Sequence, residues 1–570
     1  MSPVISSLVL THIGSLLAPS DNPPKIVLAA LRLLVHLAES SLYTSPAAES
    51  FQQSAVPDIL YSKSTIQVFG RILGQSSPSA ATQEQISLVC TFISHTCKSD
   101  QQQAIIAAGG LLSLLSARLA SYHVHQQRGW PTRPNAALVP GFLPPPTRQT
   151  ISSILAAIEA IIVGSNYRVA RFISSPLLNI VFPQHKPEIF HDRAIAQRGG
   201  TASPAFVSPL EFSLPQIPPL YVKESSAFGK TFPALGFVPT SKTENISFDF
   251  LQATETSATT SLGSDVKLGD ESSFVSWLIQ FFRSETGLPR LRACKLLACL
   301  RRAGLTSRSR DRMLALLVVP VLLAMLDDAM KMISPAHLHV TRLDADTIQN
   351  YQKIEEEVPV ILASFISGNQ LLQKAASESN VISRACQLLK HSYDPISLPP
   401  SGWSSDGSST ADTAMVDELS VTRRLGTPGL PAGLVHALRC REGALKLFAA
   451  LADRDDRYRK QLLADPAIGT CLTDSLLPFD TAAFANLSPQ KNEKLQPKTL
   501  GNTIPVLLAA CEALRMFARS VTLLRTNLLD AGMGKPLIAL LNNSNVDVVR
   551  QATDACVNIA NDFCPMRDVS

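Results

Sequence analysis

The sequence predicts an all-α solenoid carrying long polar inserts, and three observations support that fold class. Apolar residues recur at three- and four-residue spacings, which places them on one face of a helix. The same two-segment unit returns along the chain. Apolar content is 45% while aromatics make up only 6%, with three tryptophans in 570 residues. That balance suits leucine and alanine helix packing better than a sheet enzyme.

The unit is clearest in "KPLIALLNNSNVDVVRQATDACVNIANDFCP", Lys535 to Pro565. Pro536 opens a short apolar segment, where its missing N–H would be unpaired anyway. "NNSNVD" then supplies short polar side chains that cap helices. The second segment runs from about Val546 to Asp562, with Val549, Ala552, Cys556, Ile559, Ala560 and Phe563 expected on one face. Ala552, Ala555 and Ala560 permit close helix contact. Leu537 is expected to be buried against the following helix. A hairpin this small has too little core to stand alone and must stack on a neighbour.

The same plan opens the chain, in "SSLVLTHIGSLLAPSDNPPKIVLAALRLLVHLAES". "VHLA" at Val35–Ala38 lies where "VNIA" lies in the late unit, so His36 takes the place of Asn558. Ser64–Cys97 repeats the theme. "QQAIIAAGGLLSLLSARL" starts another unit, broken at Gly109 and Gly110, with its partner at Arg148–Ser165 beyond an insertion. Further units are expected at Phe274–Ala303, Met313–Leu326 with Glu357–Ile366, Leu371–Lys390, Glu442–Leu462, and Thr503–Val521 with Leu523–Leu541. Complete units recur roughly every 40 residues, the period of armadillo and HEAT repeats rather than the shorter tetratricopeptide one. The expected architecture is therefore an armadillo/HEAT-like, right-handed superhelical solenoid.

Composition shifts divide the array. Residues 1–182 read as N-terminal repeats, 183–269 as a Pro/Ser/Thr-rich disordered insert, and 270–394 as central repeats. Residues 395–430 read as a flexible insert leading into the next repeat, and 431–570 as C-terminal repeats. A third loop is expected near Leu487–Pro497.

The formal charge is only +5, and Lys and Arg form no strong block, so general nucleic-acid binding is poorly supported. The ten cysteines mostly sit inside helical patterns, as Cys294, Cys299, Cys386, Cys511 and Cys556 do. They are expected as free buried thiols in a reducing compartment. The first residues lack a signal-like basic and apolar pattern. The apolar run Met313–Leu326 is too short to span a bilayer and carries Pro320. The expected location is the cytoplasm and the nucleus, without membrane insertion.

No HExxH, Walker loop, GxSxG or spaced zinc-ligand set occurs. The expectation is a non-enzyme with no catalytic residue, no cofactor and no metal site. His123 and His125 are expected to face solvent, in a polar insertion. "DRDDRYRK", Asp453–Lys460, reads as a solvated helix start. "IEEEVP", Ile354–Pro359, reads as an acidic first turn, which the positive end of a helix favours. Asn558 stands between apolar Val557 and Ile559. On the last helix of an armadillo-like unit it can bond an extended partner backbone through both amide groups, or hold an internal hydrogen bond. Arg550 can meet an acidic group or a chain-terminal carboxylate, or be a solvated helix-start arginine. Asn558, Arg550 and His36 are the candidate partner contacts.

Several phrases carry a family resemblance. "VPVILASFISGNQLLQKAASESNVISRACQLLK", Val358–Lys390, resembles the armadillo repeat-containing protein 8 family, as does "REGALKLFAALADRDDRYRKQLL", Arg441–Leu463. Ala513–Leu541 and "CVNIANDFCPMRD", Cys556–Asp568, extend the similarity, which is sharpest from about residue 355 onward. The resemblance implies a non-catalytic armadillo scaffold of the GID/CTLH E3 ubiquitin ligase. Such a scaffold bridges the ligase core to a substrate receptor, for proteasome- or vacuole-dependent degradation. Its implied partners are the core subunits and the receptor, whose chain end lies on the concave surface. The family pattern continues past this chain's last residues, so the C-terminal array is expected to be cut short. Two other classes compete. A nuclear-import adaptor would show a ladder of tryptophans and asparagines, whereas only Trp130, Trp277 and Trp403 occur. A vesicle or membrane-tethering adaptor would need a lipid anchor, a basic amphipathic patch or a binding partner.

Overall fold

The structure is a computed structural model that describes residues 7–17, 22–41, 61–128, 143–182, 273–304, 308–334, 344–397, 430–480, 494–495, 497–519, 528 and 530–560. The helices form successive units. Helix α1 (Ser7–Leu16) pairs with α2 (Pro24–Ser41), and α3 (Lys63–Leu73) with α4 (Ala80–Thr96). Triplets follow. The first is α5 (Asp100–Ala108), α6 (Leu111–Arg128) and α7 (Arg148–Ile162). The next holds α8 (Asn166–Ile173), α9 (Pro176–Val181), α10 (Ser273–Ser284) and α11 (Gly287–Arg302). Then come α12 (Arg308–Leu317), α13 (Val319–Ile333) and α14 (Ala345–Ile366), and α15 (Gln370–Glu378), α16 (Val381–His391) and α17 (Ala432–Ala452). Helices α18 (Asp456–Leu462), α19 (Pro466–Ser475), α20 (Pro497–Leu500) and α21 (Ile504–Phe517) form the penultimate unit. Helix α22 (Gly534–Ala539), a 3₁₀ turn at Leu540–Asn542 and α23 (Val546–Ala560) form the last.

The final helix of each unit packs on its counterpart in the next. Helix α2 meets α4, α4 meets α7, α7 meets α11, α11 meets α14, α14 meets α17, α17 meets α21, and α21 meets α23. This ladder is continuous across residues 183–272 and 398–429, and its buried residues form one core. The fold is an all-α, armadillo/HEAT-like solenoid. A two-residue antiparallel pair, β1 (Ile396–Ser397) with β2 (Lys494–Leu495), sets Ile396 opposite Leu495. The expected inserts at 183–269 and in most of 395–430 lie outside the described residues.

Local sequence explains where helices start. Ser62, Ser79, Ser99, Thr147, Ser165 and Asn369 each accept a hydrogen bond from the backbone N–H three residues on. Each cap contributes about 1 kcal/mol. Gln102 completes a capping box with Ser99. The break at Gly109–Gly110 has two causes. Gly110 adopts φ +80°, and a Cβ on Gly109 would fall 2.4 Å from Cγ2 of Ile66.

Several expected boundaries move. Most units have three or four helices where the sequence suggested hairpins. Glu442–Leu462 straddles α17 and α18, and Glu357–Ile366 is only the second half of α14. On α23 the buried stripe is Val548, Ala552, Ala555 and Ile559. Val549 and Cys556 are half-buried, Ala560 is exposed, and Phe563 lies outside the described residues. The ladder ends here among the described residues, so α23 is covered along a narrower stripe than an inner helix. Matching Leu31, Leu34 and Ala38 to Ala552, Ala555 and Ile559 sets His36 opposite exposed Val557, one residue short of Asn558. Leu537 is buried as expected, and α22 packs on α23.

Arg310–Ile333 is long and apolar enough to cross a membrane by length and composition. In this fold the stretch breaks at Val318 into α12 and α13, with Leu314, Val319, Leu322 and Leu326 in the shared core.

Candidate functional site

The ladder helices share an inner face on which charged side chains far apart in sequence meet. Lys98 follows α4, yet its surroundings include Lys295 on α11 and Arg439 and Glu442 on α17. Loss of solvent lowers its ammonium pKa first, Arg439 lowers it further, and Glu442 opposes the shift.

A polar side-chain link joins every pair of neighbouring ladder helices. Arg32 of α2 donates Nε to Glu84 of α4 at 3.0 Å. Ser87 and Ser153 join α4 to α7 at 2.8 Å. Lys295 reaches Glu159 of α7 at 3.2 Å, and Arg292 reaches Glu357 of α14 at 2.5 Å. Arg439 of α17 pairs with Glu356 of α14 at 2.9 Å. Arg519, just past α21, pairs with Asp453, just past α17, at 2.9 Å. Asn558 of α23 donates Nδ2 to the Arg515 carbonyl of α21 at 3.2 Å.

Electrostatics follow from this pairing. Burial alone would neutralise Lys295, but Glu159 and Glu357 hold its pKa up. Burial would likewise raise Glu357, but Arg292 and Lys295 hold its carboxyl down. His436 of α17 sits between Glu356, 2.8 Å from Nδ1, and Glu355, 3.3 Å from Nε2. Burial acts to lower its pKa, and hydrogen bonding to Cys440 and the two carboxylates overrides burial, raising the imidazole to about 12. Burial pushes the Cys440 thiol up to about 11.

The α14–α17 contact is unusually close. A Cβ on Gly443 would lie 3.1 Å from the Glu356 carbonyl and 3.3 Å from Cβ of Pro359. Glycine here lets α17 approach α14, and that approach brings His436, Arg439 and Cys440 to the glutamates. The acidic run is thus mid-helix. Helix α14 begins at Ala345 and continues through Pro359 to Ile366, so "IEEEVP" is not a first turn. Its carboxylates find cations on neighbouring helices, which removes the need for a helix start. The signal available in sequence was "VHALRC", which spaces His436, Arg439 and Cys440 three and four residues apart on one face.

The structure also relocates other candidates. His123 is buried within α6, its ring 4.5 Å from that of Phe182 and 5.4 Å from Trp277. The sequence placed it in solvent because the aromatic partners come from distant helices; His125 is exposed. Within "DRDDRYRK", Arg457 and Lys460 are exposed, whereas Arg459 is buried and closes the end of α17. Asn558 is half-buried on the inner ladder. Arg550 is exposed and paired with Asp547 of its own helix at 2.9 Å. His36 is exposed on α2. The three candidates therefore do not form one cluster: His36 and Asn558 lie on opposite end helices of the ladder.

No family profile matches the chain. It is 25% identical over 300 residues to "GID complex subunit 5" of Schizosaccharomyces pombe, covering 53% of this chain and 30% of that protein. It is 23% identical over 285 residues to "Armadillo repeat-containing protein 8" of Xenopus laevis, covering 49% of this chain and 36% of that protein. The namesake from Danio rerio is 28% identical over 135 residues, 24% of this chain and 17% of that protein. The chain thus spans about a third or less of the length of these relatives. It is an armadillo-type helical solenoid related at low identity to GID-complex and armadillo repeat-containing protein 8 proteins.

Proposed function

We propose that this chain is a non-catalytic scaffold of a GID/CTLH-type E3 ubiquitin ligase, bridging the ligase core to a substrate-receptor subunit in the cytoplasm and the nucleus. The observation that carries the reading is the inner ladder. Polar side chains follow one another along the stacked ladder helices, and one of them, Asn558, keeps hydrogen-bonding capacity that an extended partner chain could use. The relatives supply the class of complex. Asn558 uses Nδ2 on the Arg515 carbonyl, which leaves Oδ1 to accept a partner N–H. Arg550 and His36 are exposed and extend the contact surface to both ends of the ladder.

The test is affinity purification of the tagged chain from its own cells, followed by direct binding to purified core and receptor subunits. Ligase subunits should dominate the recovered proteins. Recovery of neither core nor receptor would sink the scaffold assignment. Asn558→Ala should weaken receptor capture about fivefold, the loss of one hydrogen bond, while leaving helicity intact. Unchanged affinity would remove Asn558 from the contact. The same tagged chain should be seen in both cytoplasm and nucleus.

A further inference from the structure

A cavity of about 840 Å³ opens where helices of two neighbouring units meet. One wall is the start of α11, from Thr286 to Arg290. The second is the end of α13, from Met325 to Ser334, and the third is α14 from Thr347 to Ile354. Helix length creates the hollow. Helix α14 has 22 residues against 16 in α11, and its core residues begin only at Ile354. The turns before it, Ala345–Lys353, therefore reach past the core and face the end of α13 across the cavity.

The floor is apolar. Met325 and Ile354 are buried, and Met332 and Tyr351 are half-buried. Two thioethers and a phenol ring favour an aromatic guest over an aliphatic one. The rim, in contrast, is charged and its charges are unused. Arg290 donates Nε to the Glu285 carbonyl and Nη2 to the Arg283 carbonyl at 3.4 Å. These bonds fix the guanidinium plane and leave Nη1 without a hydrogen bond among the described residues. The Glu285 carboxylate is taken by Arg148 at 2.6 Å. Loss of solvent lowers the Arg290 pKa, and Glu285 opposes that shift. Lys331 and Asp328, one turn apart on α13, have no ion-pair partner among the described residues. Elsewhere on α11 the cations are satisfied: Arg292 pairs with Glu357 and Lys295 with Glu159.

We infer that this cavity binds a segment of a partner protein in which an aromatic residue adjoins an acidic one. The ring rests on Met325, Met332 and Tyr351. The carboxylate bridges Nη1 of Arg290 and Nζ of Lys331, and Asp328 accepts a main-chain N–H of the segment. Two cations against one carboxylate leave the rim net positive, which selects an acidic neighbour over a basic one. The volume falls in the range of about 300–1,000 Å³ that ligand pockets occupy, and it exceeds one side chain, so main chain enters with the ring. Binding here is a property of the chain alone and does not depend on the ligase reading.

The test uses the full chain with carbon-13 in the methyl groups of its nine methionines. Met325→Leu and Met332→Leu assign the two signals from the cavity. The probe is a blocked tetrapeptide of glycine, phenylalanine, aspartate and glycine. Both signals should move and saturate, with half-saturation at about 1 mM or below. Lysine in place of the peptide's aspartate should weaken binding at least about tenfold, and alanine in place of its phenylalanine should abolish it. Lys331→Glu changes an exposed residue, so helicity should stay intact while the acidic peptide binds at least about tenfold more weakly. Signals unmoved at about 10 mM peptide would overturn the proposal. Equal binding of the acidic and basic peptides would overturn it too. Dodecanoate is the control for a lipid-like acid: signals that move with dodecanoate and not with the peptide would reject a protein partner. No ligase subunit enters the experiment, so failure to recover ligase subunits leaves its result standing.

Discussion

Two junctions in the stack use one device and finish it differently. Gln103 of α5 donates Nε2 to the Ala160 carbonyl near the end of α7, at 2.9 Å. Gln373 of α15 donates Nε2 to the Ala450 carbonyl near the end of α17, at 2.6 Å. In each case an arginine on the next helix closes the same end. Arg168 donates Nε to the Ile161 carbonyl at 2.8 Å, and Arg459 donates Nε to the Ala452 carbonyl at 2.6 Å. The difference lies in the remaining donors. Arg168 also bonds Oε1 of Gln103 and the Asp100 carboxylate, so its network is closed. Arg459 turns to the Asp453 carbonyl and to Asp456 of its own helix. Oε1 of Gln373 is left buried without a partner. Stacking geometry alone therefore fixes the glutamine–carbonyl bond, and the arginine decides whether the junction is fully satisfied.

The sharpest way to break this comparison is to remove the arginines. Arg168→Met should destabilise by about 3–5 kcal/mol, because it strands Oε1 of Gln103 and two helix-end carbonyls, while exposed Asp100 is left to solvent. Arg459→Met should cost less, about 2–3 kcal/mol, since its loss strands no acceptor that was previously paired on Gln373. Denaturant midpoints at constant slope would measure both. Equal losses would mean that the two networks are equivalent in solution.

Legibility divides along the same line. Periodicity, caps and the glycine break were readable because they are local: Ser99 with Gln102, or Gly109 with Gly110, act within a few residues. Leu537 was readable from its place in an apolar segment. The ladder's polar links were not, because each joins side chains from different units. Arg459 looked solvated in "DRDDRYRK" since its acceptors include the end of the preceding long helix, whose boundary the sequence misplaced. Glu355–Glu357 looked like a helix start because their cations, Arg292, Lys295, His436 and Arg439, lie on other helices. Arg441 shows the same limit: it is fully buried, stacked 3.6 Å over the Tyr393 ring and bonded to the Ser392 carbonyl. It also donates to Oδ1 of Asn502, so three segments separated in sequence had to be assembled before a guanidinium there made sense.

Acid should separate the two regions further. Burial among Phe182 and Trp277 lowers the His123 pKa to about 4, and its Nδ1 has no hydrogen-bond partner. The folded value lies below the unfolded value, near 6.5, so the unfolded chain binds the proton more readily. Stability from the neutral ring is complete above pH 6.5 and is lost as pH falls toward 4. At pH 5 that loss is about 2 kcal/mol. Amide protection factors, which correct for the slower intrinsic exchange in acid, should therefore fall in α6 between pH 7 and pH 5 before they do in α15–α18. His123→Phe should flatten that dependence. An unchanged pH slope in the variant would place the acid sensitivity elsewhere.

The smallest effect is the most discriminating. Gln103→Met removes one bond to the Ala160 carbonyl and strips Arg168 of another acceptor, at about 2 kcal/mol. Gln373→Met strands the Ala450 carbonyl but also removes a buried oxygen that has no partner. Those two terms are similar in size and opposite in sign, so the net change should stay within about 1 kcal/mol. The double mutants isolate the point. Gln103 with Arg168 should show a coupling energy of at least about 1 kcal/mol, because the two side chains share a bond. Gln373 with Arg459 should be additive within about 0.5 kcal/mol. A strong coupling in the second pair would require Arg459 to swing onto Oε1 of Gln373 in solution. The C-terminal junction would then be closed as well, and the contrast between the two would vanish.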